Sequence, residues 1–230
     1  MKKFLWIAVF LLLVGCGTTR PAASWLSAGN NQLDNYKKHY LSGQDKIAAI
    51  EFNDALKEIK KSGDLEILAR SYLIRMALQT ATIQDLAGAE YLKIEAVQPS
   101  PANRNYYAFL QGNSAQVDEK LLPAQYLDFA AALRRTGTDE SLRAIAQINE
   151  PLAQLVAVGI LVRLGQDNEA VLQSAIATAS AEGWKKALLA YLSRLKAYYE
   201  GKQERSKALA IEQRMNIIKD EGERIIKTPY

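Results

Sequence analysis

Side chains able to do chemistry are few in this 230-residue chain, which holds one cysteine, Cys16, and one histidine, His39. Nucleophilic catalysis of the Ser-His or Cys-His type needs a base oriented beside the nucleophile. His39 stands between Tyr36 and Tyr40 and reads as a surface or partly packed residue. A zinc site needs three or four His, Cys or carboxylate ligands clustered in space, and no such spacing occurs. Phosphate-cradling glycine loops are missing as well. No metal, nucleotide or other cofactor is therefore expected. The carboxylate pairs Glu51 with Asp54 and Asp118 with Glu119 lie among polar residues and carry no specific signal. What remains is Cys16 itself, and one Glu-Ser pair at Glu140 and Ser141.

The surroundings of Cys16 have a pattern. Lys2 and Lys3 give a positive start, Phe4 to Leu13 form an apolar run, and Leu13-Val14-Gly15 leads in small steps to the thiol. That order is the layout of an export signal. It resembles the signal peptide and lipobox of bacterial lipoproteins. The resemblance implies that residues 1–15 are cleaved, that Cys16 is acylated and becomes the first residue of the mature chain, and that the membrane is reached through this lipid. By the same resemblance, Gly17 in place of Asp directs the protein to the periplasmic face of the outer membrane in a Gram-negative host. A thiol carrying lipid cannot form a disulfide, so packing alone must stabilise the fold. Residues 16–25, small and polar with Pro21, read as a tether.

The rest of the chain must position whatever surface does the work. No later apolar run approaches the roughly 20 residues that span a bilayer, and no run of alternating β-branched residues reads as a strand. The expected fold class is all-α. From Lys185 to Tyr230 there are 11 Lys or Arg against 6 Asp or Glu, so the C-terminal end is the basic one. Nucleic acid is not an expected partner of an exported protein. The clearest helix is 184–200, with Leu188, Tyr191, Leu192, Leu195, Tyr198 and Tyr199 at helical spacing. The segment 151–164 is apolar nearly all round and must be covered on more than one side. Helices are also expected at 47–59 and at 65–79, the latter with a stripe of Leu65, Leu68, Ala69, Tyr72 and Met76. Gln98 to Asn105, with Pro99 and Pro101, is expected to interrupt the array, because each proline disfavours helix at and before itself. A candidate sub-boundary therefore falls near 98–120 in a domain spanning 26–230.

Glycine-marked turns recur at Gly43, Gly137, Gly165 and Gly201, each followed at five residues by Ala48, Leu142, Ala170 or Ser206. In paired helices a small residue there lets the second helix approach the first, and an aromatic such as Phe52 fills the gap to the next pair. Gly43, Ala48, Phe52 and Ala55 resemble the second helix of the tetratricopeptide repeat. The family's first-helix pattern is not reproduced, and Lys60 stands where its terminal proline would fall. Antiparallel helix pairs stacked as a tetratricopeptide-like α-solenoid, or an irregular helical bundle, are the two architectures expected.

Repeats of this kind favour binding over catalysis. The expectation is a non-catalytic envelope lipoprotein that acts as a protein-interaction scaffold or assembly accessory for an envelope machine. Its candidate partner-contact residues are Tyr191, Arg194, Lys196, Tyr198 and Tyr199. Two alternatives stand beside it. Glu140-Ser141 is similar to the Glu-Ser pair of lytic transglycosylases, which implies a cell-wall lytic enzyme. Yet the glycine-rich continuation is absent, and Thr138-Asp139-Glu140 reads as a helix start with acidic residues complementing the dipole. The other alternative is a carrier that encloses a lipid or small molecule between helices.

Overall fold

The computed structural model describes residues 24–135 and 138–224. The expectations for residues 1–15 and Cys16 lie outside them. Among the described residues there are eleven α-helices and no strand. They are α1 (Ser24–Leu41), α2 (Asp45–Lys60), α3 (Leu65–Ala81), α4 (Ala89–Val97), α5 (Pro101–Leu110), α6 (Leu127–Arg135), α7 (Thr138–Ala146), α8 (Pro151–Arg163), α9 (Glu169–Ala181), α10 (Lys185–Gly201) and α11 (Arg205–Arg224). Three 3-10 turns, Ser114–Gln116, Glu119–Leu121 and Ala124–Tyr126, link α5 to α6.

Local chemistry accounts for the boundaries. Gly43, Gly63 and Gly165 take positive φ and end α1, α2 and α8 in tight turns. Asp64, Ser100, Glu150 and Asn168 each accept a backbone N–H in the first turn of the following helix. Two expectations need correction. The proline stretch 98–105 is not a loop: only Gln98 to Ser100 breaks the helices. Pro101 opens α5, since its missing N–H is one that a first turn leaves unpaired in any case. At the end of α10, helix continues through Gly201, and Gln203 (φ 61°) takes the left-handed position.

The helices pack in pairs along the chain, α1 with α2, α8 with α9, α9 with α10 and α10 with α11. Two contacts join distant segments. Helix α3 lies against α8, and α1 touches α10, where Lys186 pairs with Asp45 at 2.6 Å and sits 3.9 Å over the Tyr40 ring. In an open solenoid each pair meets only its neighbours; here one apolar core runs from Leu33 to Ala208 and includes residues on both sides of 98–120. Helix α8, apolar all round, is covered by α3, α7, α9 and α5.

Candidate functional site

A cleft of about 720 Å³ is bounded by α3, α5, the start of α8 and the 3-10 segment. Helix α3 supplies Arg70, Leu73, Ile74 and Ala77, which share a face by their i, i+3, i+4, i+7 spacing. Leu152 and Val156 of α8 stand opposite, one turn apart. Ala102, Asn103 and Tyr106 of α5 form a third side, and Leu121, Leu122, Pro123 and Tyr126 a fourth. Lys37, Lys120, Gln125 and Glu150 complete the rim. The volume lies within the usual range for ligand sites, and the lining is mainly apolar.

The irregular fourth side is held by a buried side chain. Asn105 donates Nδ2–H to the Asp118 carbonyl at 2.9 Å and accepts the Asp118 N–H at Oδ1, 2.6 Å. Arg134 adds donors to Glu119 and to the Val117 carbonyl. These bonds give a segment without regular hydrogen bonding the partners it would otherwise lack.

Polar groups inside the cleft are committed within the fold. Asn103 donates to Glu66 Oε2 at 3.0 Å, and Glu66 Oε1 accepts from Arg70 at 2.9 Å. The Glu150 carboxylate caps α8 by accepting the Ala153 N–H. Tyr106 and Tyr126 share a hydrogen bond at the base, where burial pushes the Tyr106 hydroxyl up to about 12 and holds Tyr126 well above the ordinary range. Both phenols stay protonated at neutral pH. A cleft of this size and lining can bind another molecule.

The residues expected to meet a partner are placed differently. Tyr191 is fully buried and donates its hydroxyl to the Leu155 carbonyl at 2.9 Å, joining α10 to α8. Tyr199 is buried as well and donates to Glu169. Arg194 forms two bonds, 2.7 and 2.9 Å, to Asp167, whose side chain is only 2% exposed, and Lys196 reaches Glu212 at 2.9 Å. Tyr198 is half-buried beside Tyr199. A regular stripe on a long helix is what packing requires, and here packing uses it. Tyr191 and Tyr199 offer no free surface, and Arg194 and Lys196 serve as ties between helices.

His39 is partly buried in the last turn of α1, its Nδ1 2.5 Å from Gln44 Oε1. Glu140 lies in the first turn of α7 and borders a separate polar depression with Asp128, Arg135 and Arg143. Among the described residues no group of three or more His, Cys, Asp or Glu side chains could hold a metal, and no helix is long and apolar enough to cross a membrane. The cleft residues were overlooked in the sequence although a signal existed. Leu73 and Ile74 lie off the main stripe of α3, so that helix has a second apolar face. No protein-family model, curated protein or solved structure matches this chain.

Proposed function

We propose that the chain is a lipid-anchored lipoprotein of the bacterial envelope that works by binding, as a scaffold or assembly accessory for a larger envelope machine. The observation that supports this reading is the cleft between α3, α5 and α8, which is preformed and mainly apolar, with Asn103 and Glu150 already satisfied within the fold. A surface of that kind holds another molecule without altering it. Its helix pairs, tetratricopeptide-like at Gly43, Ala48, Phe52 and Ala55, provide the rigid frame. Fixed through Cys16, the cleft would search only a thin layer beside the membrane, because a multiply acylated residue resides there effectively permanently.

Two measurements test the proposal. Cys16→Ser is expected to move the protein from the membrane fraction to the soluble one, or to leave it unprocessed; unchanged sedimentation with membranes removes the anchor. Crosslinked pull-down from envelope fractions is expected to recover one stable protein partner, and recovery of bulk lipid and lipoproteins alone counts against the scaffold.

A further inference from the structure

Resting on the reading of the cleft as the site of a protein partner, we propose that it docks an acidic amphipathic helix of that partner. The apolar face of the helix lies between α3 and α8, and its carboxylates meet Lys37, Arg70 and Lys120.

Hydrogen bonding selects the backbone form of the occupant. Asn103, Glu150, Tyr106 and Tyr126 are engaged with Glu66, the Ala153 N–H and each other. Three of the walls are helices whose own main chain is paired internally, and in the fourth the Asp118 and Val117 groups are held by Asn105 and Arg134 and the turns by their own short-range bonds. An extended segment would bury N–H and C=O groups with nothing to receive them. A helix arrives with its backbone already satisfied.

Openness selects between a helix and a lipid. The cleft faces solvent along one side, where an alkyl chain would remain half wetted. An amphipathic helix suits that geometry, because it seats one face and leaves the other in water. The side chains of Leu73, Ile74 and Ala77 against Leu152 and Val156 form the ridge and groove into which a third helix packs.

Charge selects the sign. Lys37 is paired with Asp34 at 2.6 Å and Arg70 with Glu66 at 2.9 Å, while Lys120 has no ionic partner among the described residues. The acidic groups nearby are Asp34, Glu66, Asp118, Glu119 and Glu150; Glu150 is turned onto the α8 amide, Asp118 accepts the Lys120 N–H and Glu119 pairs with Arg134. The exposed pairs hold their partners weakly, so incoming carboxylates can share Lys37 and Arg70 and take Lys120 outright.

The test uses the purified full chain and a fluorescein-labelled peptide of about 18 residues, with Leu on one helical face and Glu flanking it. Fluorescence anisotropy is followed on titration. The acidic peptide is expected to bind, a Lys-for-Glu counterpart at least tenfold more weakly, and a version broken by central prolines not at all. Lys120→Glu should weaken binding about fivefold, and Leu121→Asp, at an exposed wall position, by more than tenfold. Circular dichroism is expected to be unchanged for both variants. Equal binding of the acidic and basic peptides, retention by the proline version, or uptake of palmitate with no peptide binding would overturn the inference. A photo-crosslinker placed at Leu121 in cells separates the two levels. A protein adduct without acidic-helix binding leaves the scaffold reading standing and removes this inference, whereas no protein adduct together with palmitate uptake removes both.

Discussion

The two ends of the domain and its middle are built by different means. From α1 to α3 and from α8 to α11, helices of 13 to 20 residues turn back on themselves at short links marked by positive φ. Between α3 and α8, helices of 9 or 10 residues and three 3-10 turns follow one another, held by side-chain bonds such as those of Asn105. The regular ends bury most of their stripes, Ala48, Phe52, Ala55 and Ile59 in α2 and Tyr191, Leu192, Leu195 and Tyr199 in α10. The irregular middle fails to close over α3 and α8, and the cleft is what it leaves. The same two helices illustrate both outcomes: they touch at Gly159 and Thr80, and between their earlier turns lie the apolar walls of the cleft.

Gly159→Ala strikes at the closed contact. A Cβ there would fall 2.0 Å from the Thr80 carbonyl oxygen, a backbone atom that can move only with its helix. Overpacking of this kind costs about 3 kcal/mol. Urea denaturation should show the midpoint falling by that equivalent. A variant as stable as the parent would mean that α3 and α8 are not pressed together at this point.

Asn105→Ala addresses the irregular side. It removes two bonds to one residue, the Asp118 N–H and C=O; the C=O keeps the Leu121 N–H while the N–H loses its partner, at about 1 kcal/mol. The effect should be local as well as global. Hydrogen exchange is expected to accelerate over 113–126 before it does so in α8. Uniform acceleration would show that the cleft wall and the helical ends unfold as one unit.

Legibility in the sequence follows the same division. Helices α2, α3 and α10 could be read because one apolar stripe and one turn glycine act together, and α8 from the apolar run that follows Pro151. Pro101 misled because proline breaks a helix when it falls inside one and starts a helix when it follows a cap, and only Ser100 distinguishes the cases. Helix α4 was not foreseen; its apolar residues face several ways, and only Tyr91 and Glu95 are buried. Glu95 owes its burial to Tyr91 one turn away on its own helix and to the Ser100 N–H and Arg104 beyond the break at 98–100. The cleft depends on how far α3 and α8 separate, which no local pattern specifies. The tyrosines of α10 were legible as a stripe; that the stripe faces Leu155 and Glu169 was not.

Alkaline pH tests both regions together. Burial raises the hydroxyls of Tyr91, Tyr106 and Tyr126 in the middle, and of Tyr36 and Tyr191 in the regular parts, Tyr106 to about 12. For each, the unfolded phenol ionises near pH 10 while the folded one stays protonated. The unfolded state then holds fewer protons, and stability falls as pH rises. The stability is fully present below pH 10 and declines between about 10 and 12, by roughly 2 kcal/mol for Tyr106 alone. Tyr106→Phe should flatten the decline by that share. An unchanged slope would mean that the base of the cleft is open to water.

The smallest effect is expected where the two ends meet. Lys186 bridges α10 to the α1–α2 turn through Asp45, whose side chain is 67% exposed, and through the Tyr40 ring. An exposed pair of this kind contributes about 0.5 kcal/mol, and the cation over the ring a similar amount. Lys186→Met keeps the aliphatic stem and removes both terms, so a loss of about 1 kcal/mol is expected, shrinking at high salt only by the ionic part. Asp45→Asn should remove the salt-sensitive half and leave the ring contact. If the two variants lose the same stability at every salt concentration, the Tyr40 contact contributes nothing. The ends then meet through the packing of α1 on α10 alone.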